Sequence, residues 1–143
     1  MSRDPNCVFC KIVAVQIPAA VVFEDEDVLA FLDVGPLAEG HLLVIPRDHH
    51  SRLTDLSPVT CSKLGATLPT LGRALLAVTR AAGFNILLNQ GSEAGQVVPH
   101  VHFHLIPRTA GDQLGYRWNA GTYPQGRAAQ LAAAIQAALV HHS

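Results

Sequence analysis

The segment HVHFHLIPR, residues 100–108, places His100, His102 and His104 at alternate positions, with Val101, Phe103 and Leu105 in the gaps. The chain has eight histidines, and three of them stand here. Imidazole titrates near neutral pH, attacks electrophiles through an unprotonated nitrogen, and ligates metals. Residues rich in β preference, closed by Pro107, predict a strand over 100–107. In a strand, residues i, i+2 and i+4 share one face, about 6.6 Å from one to the next. The three imidazoles then line one face, and the three apolar side chains line the other, where they can pack on a helix. A helix would scatter the imidazoles around its barrel. Side chains four residues apart on one strand diverge too far to share an ion easily. Nucleophilic or proton-transfer chemistry therefore suits the row better than a three-histidine metal site, and a solvated polar face is the bland alternative.

The loop before these histidines, NQGSEAGQVV, carries Gly91 and Gly95, which permit close backbone approach. Asn89, Ser92 and Gln96 add polar groups able to hold phosphate or sugar oxygens. A second cluster of reactive residue types lies at the other end of the chain. Cys7-x-x-Cys10 is half of a tetrahedral zinc site, and IPRDHH supplies His49 and His50. A redox pair is the competing reading of the cysteines, but no thioredoxin-like β-α-β pattern surrounds them.

Several elements must position these residues. CVFCKIVAVQIP predicts a short helix ending before Pro18, and AVVFEDEDVLAFLDV predicts two strands about an acidic turn. GHLLVIPR is a further strand. The main helix starts at Ser57 as N-cap with Pro58 in its first turn, and Gly83 is its expected stop. Leu64, Leu68, Leu71, Leu75 and Val78 recur along it at helical spacing, and Pro69 is expected to kink or divide it. FNILLNQ is the next strand, and RAAQLAAAIQAALV closes the chain as an alanine-rich helix. Five short strands and two substantial helices predict one α+β domain over residues 1–143 with a mainly antiparallel sheet.

Composition bounds the partners. Hydrophobic residues make up 49% and charged residues 15%, with a net charge of −1, so no broad basic face for nucleic acid or polybasic membrane patch is expected. An apolar balance in a small chain points towards an oligomer. The N-terminus has no apolar leader, and no run approaches the ~20 apolar residues of a membrane-spanning helix. The expectation is a soluble cytoplasmic protein with its three cysteines reduced.

GQVVPHVHFHLIPR resembles the signature of the histidine-triad (HIT) family, and CVFCKIVAVQIPAAVVFEDEDVLAFLDVGPLAEGHLLVIPRDHH is similar to the N-terminal half of its members. The resemblance implies a five-stranded antiparallel sheet, usually in a homodimer. It implies hydrolysis or transfer at the α-phosphate of a nucleoside phosphoramidate, adenylated compound or dinucleoside polyphosphate, with a purine nucleotide or conjugate as substrate. By motif position His102 is the nucleophile that forms a nucleotidyl-histidine, and His104 contacts phosphate or leaving group. Gln96 and loop N–H groups meet the developing charge, and no catalytic metal is required. The matching base and ribose positions are Phe31, Asp33 and Val34, and the matching loop positions are Asn89, Gly95 and Gln96. Some branches of the family bind structural zinc, and the ligands that would match are Cys7, Cys10, His49 and His100. A catalytically weak nucleotide-binding or scaffold module of the same fold is the alternative function.

The chain departs from the pattern at Val97, where many relatives carry Ser or Thr after the Gly-Gln pair. Valine removes a hydroxyl contact to phosphate or leaving group, so leaving-group preference should differ. Several residues keep ordinary readings beside functional ones. Asp33 could cap a turn and Phe31 could be core. Tyr116 and Trp118 could stack on a base, close a dimer interface or fill the core. Arg108 could attract phosphate or sit on the surface. Cys61 reads as a packing residue, and His141 and His142 receive no role.

Overall fold

A computed structural model describes residues 2–115 and 119–142. Tyr116 and Trp118, and the side chains of His141 and His142, lie outside the described residues. The elements run α1 (Val8–Val13), β1 (Val21–Glu24), β2 (Val28–Leu32), β3 (Leu42–Pro46), α2 (Pro58–Thr79), β4 (Gly83–Leu88), β5 (Phe103–Arg108) and α3 (Arg127–His142). The five strands form one sheet in the order β1-β2-β3-β5-β4, with every pairing antiparallel. The α+β expectation holds.

Strand alternation divides the core between two faces. Val28, Ala30, Leu42, Val44 and Leu105 face α2, where they meet Leu64, Leu71 and Leu75. Leu29, Phe31, Leu43 and Ile45 face the other way and pack with Phe9, Cys10 and Val13 of α1. The β2 and β3 segments are apolar throughout because both faces are covered. His104 pairs with Leu43 in the ladder, so it belongs to the α1 face.

Four points compare with expectation: three boundaries differ, and α2 stays a single helix, one of the two outcomes expected at Pro69. First, the histidine strand begins at Phe103, leaving His100 and His102 in the irregular segment before it. The β3–β5 ladder stops at Val44 opposite Phe103. Continuing it would pair Val101 with Pro46, which has no N–H to give the Val101 carbonyl and whose own carbonyl accepts from His100 Nε2; the Val101 N–H donates to the His50 carbonyl at 2.7 Å. Second, α1 ends at Val13, earlier than Pro18, in a turn with Val15 at a φ of 58°. Third, α2 is one helix of 22 residues that runs through Pro69. Pro69 and Gly65 are both exposed, so the carbonyl that loses its helical donor faces water. Fourth, Arg80 ends α2 in the left-handed conformation with a φ of 59°, and Gly83 instead opens β4 opposite Arg108. The strand claims the glycine, and the arginine takes the strained position.

Two glycines of α2 should respond oppositely to the same substitution. A Cβ on Gly72 would lie 2.5 Å from the Phe84 ring, whereas one on Gly65 would meet nothing within 4 Å. Gly65→Ala should gain about 0.5–1 kcal/mol from helix propensity. Gly72→Ala should lose about 1–2 kcal/mol, because overpacking against Phe84 outweighs that gain. Chemical denaturation of the two variants checks the sign, and a stabilised Gly72→Ala would contradict the packing of α2 on β4.

Candidate functional site

The backbone carbonyl of His100 accepts a hydrogen bond from His102 Nδ1 at 2.7 Å. A carbonyl can only accept, so the proton of neutral His102 sits on Nδ1 and its Nε2 keeps a free lone pair. His102 is 6% exposed, and the edge contact of its ring with Phe9, at 5.1 Å between centroids, holds it in place. The ring of His104 stands 4.9 Å away. Phe9 comes from α1, so the short N-terminal helix fixes the imidazole as much as the histidine segment does.

The His104 tautomer is set by a residue that the sequence reading passed over. The Leu37 N–H donates to His41 Nδ1 at 3.0 Å, which places the His41 proton on Nε2. That N–H donates to His104 Nδ1 at 2.8 Å, so His104 carries its own proton on Nε2. Asp33 Oδ2 lies 3.7 Å from His41 Nε2 and completes the row. Burial pushes the pKa of His104 down to about 4, helped by neighbouring His102 and His41 and opposed by Asp33. Burial also lowers that of His41, again against Asp33. Both therefore stay uncharged at neutral pH. His41 heads the GHLLVIPR strand, and period two puts it on the same face as Leu43. Its pairing with His104 depends on the β3–β5 register.

Asp33, His41 and His104 also place ligand atoms within 4.8 Å of one another, as a metal site would. A metal on His41 Nε2 would force that proton onto Nδ1, against the Leu37 N–H. The row is better suited to carrying protons than to holding an ion.

These histidines open on a cavity of about 430 Å³. Phe31, Asp33, Val34, Asn89 and Gly95 line it together with His102 and His104, so the expected positions meet around one pocket. Phe31 is at once core and lining. Asp33 does cap a turn, with Oδ1 accepting from the Gly35 N–H at 2.8 Å, and its other oxygen faces His41. Gln96 is the exception. Its Oε1 accepts from the Gly91 N–H at 2.8 Å, and its Nε2 donates to the Ser51 and Val98 carbonyls at 2.8 and 3.0 Å. The amide pins the glycine loop, which turns at Gly91 and Gly95 with φ of 90° and 97°, and it is not among the pocket-lining residues. Arg108 is not a surface residue awaiting phosphate either. It clamps Asp112 at 2.7 Å, Asn85 at 2.7 Å and the Leu114 carbonyl. This holds the Asp112 carboxyl well below the usual carboxylate range.

Behind His102 lies a second cluster. His100 Nδ1 is 3.4 Å from Cys7 Sγ, 3.7 Å from Cys10 Sγ and 3.2 Å from His49 Nδ1, and Cys10 Sγ is 3.3 Å from His49 Nδ1. Tetrahedral zinc with ordinary Zn–S and Zn–N bonds needs ligand separations of roughly 3.3–3.8 Å. The donor set and its spacing fit a four-ligand metal ion with no open position. His100 Nε2 donates to the Pro46 carbonyl at 2.8 Å, which turns the Nδ1 lone pair towards the sulfurs. The Cys10 N–H donates to Cys7 Sγ and the Asp4 N–H to Cys10 Sγ, as thiolate ligands require. Burial pushes the Cys7 thiol up and the His100 imidazole down to about 4. Cys61 is half-buried in α2, apart from this cluster.

Comparison with known proteins agrees with this geometry. The HIT domain family model matches residues 14–111. A crystal structure of a Streptococcus mutans protein superposes with a TM-score of 0.92 at 42% identity, covering 96% of this chain and 88% of that one. An adenosine 5'-monophosphoramidase of Schizosaccharomyces pombe is 41% identical over 117 residues, 79% of this chain and 83% of its own. A zinc-bound histidine triad family protein from Mycobacterium smegmatis superposes with a TM-score of 0.73 at 37% identity, covering 96% of this chain and 98% of its own.

Proposed function

This chain belongs to the HIT family, and from that premise we propose that it is a nucleotide hydrolase or transferase acting at an α-phosphate through a nucleotidyl-His102 intermediate. The observation that carries the reading is the His102 tautomer. Its Nδ1–H is committed to the His100 carbonyl, so Nε2 needs no deprotonation before it attacks. In the first step Nε2 bonds to phosphorus, the bond to the leaving group breaks, and the proton on His104 Nε2 passes to the leaving atom. The proton deficit on His104 is shared along its bond to His41, beside the positive charge on nucleotidyl-His102. In the second step water attacks phosphorus, the Nε2–P bond breaks, and a water proton returns to His104. A transferase would admit another acceptor in place of water. Mass detection of nucleotidyl-enzyme during turnover, absent in His102→Asn, tests the intermediate.

A purine nucleotide fits the cavity, with the base against Phe31 and the apolar wall and the ribose at Asp33. Gln96 serves catalysis by holding the glycine loop in place. The metal of the Cys7, Cys10, His49 and His100 cluster is zinc, which binds such a set as a structural ion. Thiolate ligands of this kind suit a reducing, cytoplasmic setting. Among the described residues no helix is long and apolar enough to cross a membrane. The chain works as a homodimer. In support, β4 is a sheet edge with Ile86 exposed, and α3 exposes Ile135 and Leu139.

His41 is a positioning residue, and its contribution depends on the leaving group. His41→Phe should lower kcat about 10²-fold for amine leaving groups, which need a proton. A nitrophenolate leaving group needs none, so its release should be little affected. Steady-state rates with both substrates check this. Equal losses on the two would make His41 merely structural.

A further inference from the structure

Resting on the metal assignment at Cys7, Cys10, His49 and His100, we infer that Cys7 and Cys10 are also a site of oxidative modification. A small hydroperoxide joins the pair in a disulfide, which breaks up the metal-binding set, and segment 2–6 controls access to it. The cluster is then a redox sensor coupled to His102.

The first observation is the placing of the cysteines. Cys7 is the N-cap of α1 and Cys10 lies three residues on, so both stand on one side of the first turn. Positions three apart on a helical turn have Cα atoms about 5 Å apart, inside the range a disulfide needs. The Cys10 N–H donates to Cys7 Sγ at 3.5 Å, and the two sulfurs lie 3.4 and 3.7 Å from the same nitrogen, His100 Nδ1. A metal ion on this set holds both cysteines as thiolates, the form that attacks peroxides. Metal ligands and redox pair are two states of one site.

The second observation is what covers the pair. Each cysteine is 3% exposed, so an oxidant reaches them only when a neighbouring segment moves. Segment 2–6 runs against the cluster. The Asp4 N–H donates to Cys10 Sγ at 3.3 Å, and the Asp4 carbonyl accepts from the Cys7 N–H at 3.0 Å. Further along, the Ser2 N–H donates to Asp48 Oδ1 at 2.8 Å and the Ser2 carbonyl accepts from the His49 N–H at 2.8 Å. Ser2, Arg3, Pro5 and Asn6 are all exposed. A segment held by a few solvent-exposed hydrogen bonds opens far more often than the core beneath it. Opening takes the Asp4 N–H away from Cys10 Sγ, which uncovers that sulfur and leaves its lone pairs free to attack.

The chemistry balances in two steps. Cys10 Sγ attacks one peroxide oxygen, the O–O bond breaks, and the departing oxygen takes a proton from solvent. Cys7 Sγ then bonds to Cys10 Sγ, the S–O bond breaks, and the hydroxide released takes a second proton to leave as water. Together the two thiolates lose two electrons, and the peroxide gains them. The cluster keeps two of its four donors, too few to hold an ion tightly. His100 loses its sulfur partners while its carbonyl still carries the His102 Nδ1 proton, so oxidation at the cluster reaches the nucleophile. A dithiol reverses the change.

The experiment treats zinc-loaded protein with hydrogen peroxide, follows zinc with a colorimetric chelator, and follows the thiols by mass spectrometry. Residues 4–11 form one tryptic peptide that holds both cysteines and excludes Cys61. This peptide should lose two hydrogens at the rate at which zinc appears, one zinc per chain. The kcat should fall about 10-fold, and dithiothreitol with added zinc should restore all three readings. Asp48→Ala frees the Ser2 N–H and removes no ligand, so it should bind zinc as the wild type does but oxidise about 5-fold faster. Zinc retained after the half-buried Cys61 has been oxidised would overturn the inference and leave the metal assignment standing. So would sulfinic acid in place of the disulfide, equal oxidation rates in wild type and Asp48→Ala, or a kcat unmoved by full zinc release. A chain that holds no zinc before oxidation overturns both.

Discussion

His102→Asn removes turnover while leaving nucleotide bound. Asparagine keeps an N–H that can reach the His100 carbonyl but has no lone pair able to bond phosphorus. The loss should be about 10⁴-fold or more in kcat, as for nucleophiles of other covalent enzymes. His102 lines the cavity, but the other lining residues Phe31, Asp33, Val34, Asn89 and Gly95 are untouched, so affinity for a nucleoside monophosphate should change by less than about 10-fold. Calorimetric titration and single-turnover kinetics on the same preparation separate the two quantities. A variant retaining a tenth of the wild-type rate would show that His102 is not the nucleophile. A wild type that binds nucleotides but hydrolyses no nucleotide conjugate would instead favour a binding module of the same fold.

The parts of this site that were legible in the sequence are those set by local period. Alternation along HVHFHLIPR places the imidazoles on one face, all reached from α1 through Phe9 or the neighbouring ring, even though His100 and His102 precede the regular strand, where the Val101 N–H is bonded to the His50 carbonyl. The apolar stripe of Leu64, Leu71 and Leu75 likewise finds its sheet from helical spacing alone. What stayed hidden depends on register and on competition for hydrogen bonds. His41 lies more than sixty residues from His104 in sequence, and they meet only because Leu43 pairs with His104. Gln96 carries the polar group that a phosphate contact needs, but Gly91, Ser51 and Val98 claim all of it. Residue type announces what Gln96 can do, and the neighbours decide what it does. The strand limit at Phe103 was hidden for a related reason. It is imposed by Pro46 on a different strand, whose missing N–H matters only once the two strands are paired.

Cys7→Ser should remove the metal, lower stability and slow catalysis, although Cys7 lies outside the pocket. Protein purified without chelator should carry one zinc per chain, and Cys7→Ser less than about a tenth of that, since losing one of four ligands abolishes tight binding. The destabilisation should be about 3 kcal/mol, or roughly 10 °C in Tm for a chain of this size. The losses run along a defined path. His49 is held by the Ser2 carbonyl through its N–H at 2.8 Å, and Asp4 by Cys10 Sγ at 3.3 Å, so the amides of His49 and Asp4 should exchange faster with solvent. His100, freed from the cluster, no longer fixes the carbonyl that holds the His102 proton on Nδ1. Some His102 then adopts the other tautomer, with its attacking nitrogen protonated, and kcat should fall roughly 10-fold, as when a group supporting a metal ligand is lost. KM should change little, because the base and ribose contacts come from β2 and the segment after it. Cys61→Ser is the control, since that residue sits in α2 apart from the cluster and should leave zinc, Tm and kcat near wild type. Equal zinc in wild type and Cys7→Ser would remove the metal assignment. Lost zinc with an unchanged kcat would keep the metal but break its link to His102.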